Sequence, residues 1–180
     1  MRFPAVPEDV EVDMTRSYNP TEADLRRGIE HVCYEYANLI SAAHWSINGQ
    51  APWRTNVDDA FLLGYRKLRD FLLQDHRSQR ENTELPDILA GDYLTRVVER
   101  TWALPTWDRK WRAVMNRQLA HLSFEREEPW DHRVCIGPLE SEIRAAWSEF
   151  LQNVDAHFRP EFETQLERCR RKPGFSGLQL

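Results

Sequence analysis

The sequence predicts an all-α protein, an antiparallel bundle of four to five main helices. Three observations predict it. Apolar residues recur at three- and four-residue steps along most of the chain. No period-2 run of apolar and polar residues is convincing as a half-buried strand. Polar breaks containing proline or glycine separate the periodic segments, as short interhelical connections require.

The elements follow in order. Residues 1–20 carry prolines and scattered acids and read as an extended N-terminal arm. "NPTEAD" then supplies a helix start, with Thr21 as N-cap and Asp24 at the third helical position. Leu25, Ile29, Val32, Tyr36, Leu39, Ala43 and Ile47 form one stripe, so a single long helix runs to "NGQAP", where Asn48, Gly49 and Pro52 stop it.

A second helix opens at "NVDD", with Asn56 as cap and Asp58 and Asp59 facing the positive end of the helix dipole. Its stripe is Ala60, Leu63, Leu68, Phe71 and Leu72, and it ends near Gln74. "DHRSQRENTELP" reads as an exposed loop. "PDILAGDYLTRVVERTWALP" predicts one or two short helical pieces between Ile88 and Val98, weakened by Gly91.

Pro105 and Thr106 open the next helix, whose apolar side is Trp107, Trp111, Val114, Met115, Leu119 and Leu122. "EREEPWDHRVCIGP" breaks it. A last long helix starts near Leu139 and runs through Ile143, Trp147, Phe150, Leu151 and Val154. Pro160 forces a kink or restart before "EFETQLERCRR". Residues 21–172 thus read as one helical domain, and residues 173–180 as a frayed tail.

Composition narrows the function classes. A chain of 180 residues suits one well-cored domain, and its 41% hydrophobic and 29% charged content is that of an ordinary soluble protein. No apolar run approaches the length of a membrane span, and the start has no signal-peptide core, so a cytoplasmic location is expected. The cysteines Cys33, Cys135 and Cys169 show no paired spacing, which predicts reduced thiols and neither a disulfide framework nor a zinc site. A net charge of −5 gives the surface as a whole no attraction for nucleic acid. The basic runs at Arg109–Arg117 and Arg168–Lys172 fit solvated helix faces and helix C-terminal ends. The 7 tryptophans are expected at helix crossings, where a large ring buries much area.

"MNRQLAHLSFER" carries the candidate chemistry. Arg117 and His121 lie four apart on one helix face, with Asn116 beside them. An imidazole titrates near neutrality, and a guanidinium holds phosphate oxygens. Such a trio suits RNA cleavage, with His121 moving the proton of a ribose 2′-hydroxyl and Arg117 stabilising the charged phosphorane. The same placement also suits a half-buried histidine satisfied by a neighbouring helix. Arg66 and Asp70 in "GYRKLRDFLL" are also four apart, the spacing of an intrahelical ion pair. The histidines do not converge with acids at ligand spacing, so no metal is expected. No phosphate-binding, dinucleotide-binding or nucleophile-elbow motif is present, so no cofactor is expected either.

Two segments together carry a resemblance. "DDAFLLGYRKLRDFLL", with Arg66, Leu68, Asp70 and Phe71, is followed by "MNRQLAHLSFER", with Asn116, Arg117, Ala120 and His121. "PDILAGDYL" supplies the acidic segment between them through Asp87 and Asp92, with Tyr93 alongside. This pattern, over roughly residues 56–126, resembles uncharacterised bacterial proteins related to the HEPN superfamily. The resemblance implies an all-α bundle, commonly a homodimer with paired sites near the interface. It implies metal-independent endoribonucleases of toxin–antitoxin, phage-defence or RNA-processing systems, or non-catalytic binding domains with RNA or an antitoxin-like protein as partner. Active members resemble an Arg, a polar residue, a short spacer and a His. Here Asn116 and His121 keep the polar residue and the His, whereas Met115 stands in place of the Arg.

Overall fold

The computed structural model describes residues 20–49, 54–73, 88–94, 102–104, 133–175, 177, 178 and 180. Among these are four α-helices: α1 (Glu22–Asn48), α2 (Arg54–Leu73), α3 (Arg133–Asn153) and α4 (Arg159–Arg170). A 3₁₀ turn covers Ala90–Tyr93, and a single antiparallel bridge joins Leu94 to Val154. The described residues are therefore all-α. The N-terminal arm and the helix expected from Pro105 onward lie outside them.

α1 begins as its sequence dictates. The Thr21 hydroxyl accepts from the Asp24 N–H (3.2 Å), and Asp24 Oδ2 accepts from the Thr21 N–H (3.1 Å), which closes a capping box. The helix stops at Gly49, whose N–H reaches Trp45 O at 2.7 Å. Gly49 is extended rather than left-handed, so glycine is required there by space: a Cβ would lie 2.2 Å from Trp45 O. Ile47, expected in the core, is instead exposed at the open end of the helix.

α2 differs from expectation in phase. It starts at Arg54, so Asn56 lies inside the first turn rather than capping it. Phe61, Leu62, Tyr65, Leu68, Phe71 and Leu72 are buried, while Leu63 is 48% exposed and Ala60 faces solvent. The larger rings of Phe61 and Tyr65 win the inward face, because they bury more area than Ala60 and Leu63. At the other end, Trp102 Nε1–H donates to Leu72 O (3.1 Å) and so satisfies a last-turn carbonyl.

α3 starts at Arg133 rather than near Leu139, with Pro138 inside it. A proline early in a helix forfeits one backbone bond, and the buried Ile136 and Leu139 on either side hold the turn against the core. The restart at Pro160 is as expected, with that proline in the first turn of α4. Arg159 Nη2 donates to Gln152 O (2.8 Å) and Val154 O (3.1 Å), which satisfies the end of α3 and fixes the corner.

The contacts give the helix directions. Ser46 meets Asp58 and Glu35 meets Lys67, so α1 and α2 are antiparallel. Tyr36 stacks on Trp147 while Arg26 reaches His157, so α1 and α3 are antiparallel too. α4 runs parallel to α1, as Arg26–Glu161 at one end and Ser41–Gly174 beyond the other show. α2 and α3 are therefore parallel. These directions agree with an antiparallel bundle in which the helix expected from Pro105 onward stands between α2 and α3, a stretch that lies outside the described residues.

The core is aromatic at its centre. Phe150 meets the rings of Phe71, Tyr93, Trp102, Trp147 and Phe162 at 5.3 to 6.4 Å between centroids. Tyr93 hydrogen-bonds Leu25 O through its hydroxyl (2.8 Å), which ties the 3₁₀ turn to α1. Gly28 permits this approach, since a Cβ there would lie 2.5 Å from both Ile88 Cδ1 and the Tyr93 hydroxyl. Where helical pieces are expected around Gly91, the Asp92 carboxylate accepts from Leu89 N–H (2.8 Å) and holds one tight turn. Of the described tryptophans, Trp102 and Trp147 are buried as expected, but Trp45 is 55% exposed and meets the His44 ring edge-on. The C-terminal stretch, expected to fray, packs Phe175 against Ala37 and Cys169.

Candidate functional site

Two of the five sequence-predicted site residues, Arg66 and Asp70, stand on α2. Asn116, Arg117 and His121 lie outside the described residues. α2 divides its motif cleanly: Leu68 and Phe71 turn into the core, while Arg66 is exposed and Asp70 half-buried on the outward side. The ion pair that the four-residue spacing suggests is not made between them. Asp70 accepts instead from Arg69 Nη1 at 3.1 Å. Arg69 lies on the flank of α2, so it reaches the carboxylate and leaves the Arg66 guanidinium turned to solvent. The neighbouring Lys67 is engaged by Glu35 of α1 at 2.7 Å.

This arrangement has a definite chemical capacity. Leu68 and Phe71 fix the rotation of the helix by burial, which places Arg66 on its exposed side. An exposed guanidinium offers a planar set of donors to a phosphate or carboxylate. A carboxylate one turn further on, as Asp70 is, can hold an imidazole in one orientation.

A second polar cluster joins α1 to the α3–α4 corner, and the linear sequence does not reveal it. Arg26 donates to Glu161 Oε2 (2.6 Å) and to Glu22 Oε1 (3.0 Å). His157 Nε2 lies 3.0 Å from the same Glu22 oxygen and 2.9 Å from Arg26 Nη2. One ring nitrogen accepts from the arginine or donates to the carboxylate, never both at once. His157 and Arg26 together hold the Glu22 carboxyl below its ordinary value. Only the Glu22–Arg26 spacing was readable; His157 and Glu161 arrive from far along the chain. Every charge in this cluster is answered inside the chain, so it works as a tie between elements.

Neither Cys33 nor Cys169 offers a nucleophile. Cys33 is buried against Phe162 O, and burial pushes both Cys33 and Cys169 upward from the ordinary thiol value. Among the described residues no group of three or more His, Cys, Asp or Glu side chains is placed to hold a metal ion. Nor is any described helix long and apolar enough to cross a membrane. No family model, no curated protein and no solved structure matches the chain.

Proposed function

We propose that the chain is a HEPN-like helical protein that binds RNA as a degenerate, endoribonuclease-type domain. Its setting in this reading is bacterial defence or a toxin–antitoxin pair, and it acts as a homodimer. The observation that supports it is the division of the Arg66–Phe71 segment, with two apolar residues anchoring the helix and Arg66 presented outward. In the pocket this implies, Asp70 orients the His121 imidazole and Arg66 supplies the cation that Met115 does not. Asn116 and Arg117 complete the polar lining. His121 is the group suited to move the 2′-hydroxyl proton, and no metal takes part. With Met115 at the position of the usual arginine, binding is favoured over turnover.

The test is an RNA titration by fluorescence anisotropy across a salt series. Binding that weakens with salt, and weakens further in Arg66→Ala, is expected. Absence of binding at low salt would overturn the reading. Incubation of labelled RNA with and without chelator, for wild type and His121→Ala, separates a binding domain from a working nuclease.

A second reading, a non-catalytic structural or partner-binding bundle of antitoxin-like or assembly type, is favoured by the net charge of −5 and the exposed Leu63 and Trp45. It predicts a chain that ignores RNA at every salt concentration.

A further inference from the structure

We propose that the outer face of α1, with the basic end of α4 beside it, is a track for single-stranded RNA. This deepens the RNA reading above and rests on it, because Arg66 offers a contact for a phosphate and no seat for a base.

Helix geometry sets the face. At 100° per residue, Tyr34 and Trp45 fall within about 20° of each other round α1, roughly 16 Å apart along its axis. Asn38 and Ser41 lie between them, within about 40° of Tyr34. Tyr34 is 43% exposed and Trp45 55%. Every other described Phe, Tyr or Trp is buried, so the two exposed rings share one face of one helix.

The end of α4 brings cations to the same edge. Ser41 Oγ donates to Gly174 O (3.2 Å) and Phe175 meets the Tyr34 ring edge-on (6.2 Å), so the turn after α4 lies along this face. Lys172 Nζ stands 5.1 Å from the centre of the Tyr34 ring and makes no ion pair with any described residue. Arg168 is exposed and makes none either. Arg171 and Arg170 share Glu167, at 3.1 and 3.4 Å. Exposed pairs of this kind are weak, so a phosphate can take over the Arg171 guanidinium. Arg168, Arg170, Arg171 and Lys172 thus gather against Glu167 in a chain whose net charge is −5. On α1, the exposed Glu30 precedes Tyr34 by one turn and bounds the track on that side.

Exposed rings beside cations that no carboxylate answers suit a strand with unpaired bases. Its bases stack on the rings while its phosphates meet the cations. In a duplex the base faces are already stacked on one another, so they do not reach Tyr34 or Trp45.

The experiment is fluorescence anisotropy with a labelled mixed-sequence RNA oligonucleotide, single-stranded and as its duplex, across a salt series. Wild type should bind the single strand about tenfold more tightly than the duplex. Trp45→Ala should weaken single-strand binding about tenfold, the effect of a lost stacking contact. Tyr34→Leu, which keeps an apolar contact for Phe175, should act alike. Arg168→Ala and Lys172→Ala should each lower the slope of log affinity against log salt by about 0.7. Trp45 and Arg168 are exposed, so their variants should melt as wild type does. A duplex bound as tightly as the single strand would overturn the track. Binding that ignores Trp45→Ala and Arg168→Ala but weakens in Arg66→Ala would also overturn it, leaving this face to a protein partner and the RNA reading standing. Failure to bind either RNA at low salt would overturn both.

Discussion

The two polar surfaces of this protein behave differently. Around Arg26 each charge is answered within the same chain: by Glu22 on its own helix, His157 at the corner and Glu161 on α4. Along the outer side of α2 the Arg66 guanidinium has no such answer among the described residues, although the helix beneath it is fixed by Leu68 and Phe71. Charges that close on themselves hold a fold together. A charge held outward by its neighbours' burial is available to something outside the chain.

Substitutions sharpen this contrast, and the largest effect belongs to neither surface. Phe150→Ala removes the ring at the meeting point of five others and should cost about 3–5 kcal/mol. That corresponds to a drop in melting temperature of roughly 6–20 °C for a chain of this size. A fall of only a degree or two would mean that the aromatic centre carries little of the stability.

Next comes a buried polar contact between α1 and α2, Ser46 donating to Asp58, which is 5% exposed. Ser46→Ala leaves a buried carboxylate short of a donor, and a loss of about 1–3 kcal/mol in denaturant unfolding is expected. An unchanged midpoint would show that water replaces the hydroxyl.

The pH dependence is smaller and has a fixed sign. The Thr21 side chain, the Thr21 backbone and then Arg27 bring the Asp24 carboxyl from 3.8 down to about 2. A lowered folded-state value means the contribution is fully present above 3.8 and is lost as pH falls through about 2. Glu22, held down first by His157 and then by Arg26, acts in the same direction. Melting temperature should therefore decline in acid, and Asp24→Asn should flatten that decline. A stability that rises below pH 4 would contradict the capping box as the cause.

The smallest effect on stability is expected at Arg66. Arg66→Ala should move the unfolding free energy by no more than about 0.5 kcal/mol, as exposed surface substitutions do. A larger loss would place Arg66 with the Arg26 cluster and erase the contrast drawn above.

Much of α1 was legible because its signals are local. The capping residues are three apart, and the stripe from Leu25 to Ala43 needs no partner to be seen. The phase of α2 was not legible, since Phe61 and Tyr65 compete with Ala60 and Leu63 and only the opposing helix decides between them. The start of α3 was hidden by Pro138, a residue that reads as a breaker unless the core repays its missing bond. Phe175 looked like part of a loose end because its seat is built by Ala37 and Cys169, far away in sequence. For the candidate site, spacing showed that Arg66 and Asp70 share a face. It could not show that Asp70 would choose Arg69.

The parallel pairing of α1 and α4 has a consequence for the order of events in folding. Residues 133 apart, such as Ser41 and Gly174, must meet before that side of α1 is covered. During synthesis the flank carrying Cys33 and Ala37 emerges early and waits bare until almost the whole chain has followed. Long-range closure of this kind slows folding and prolongs the exposure of apolar surface. The α1 and α2 hairpin, by contrast, forms from neighbouring segments and can assemble first, leaving α4 to dock as the late step that seals the molecule.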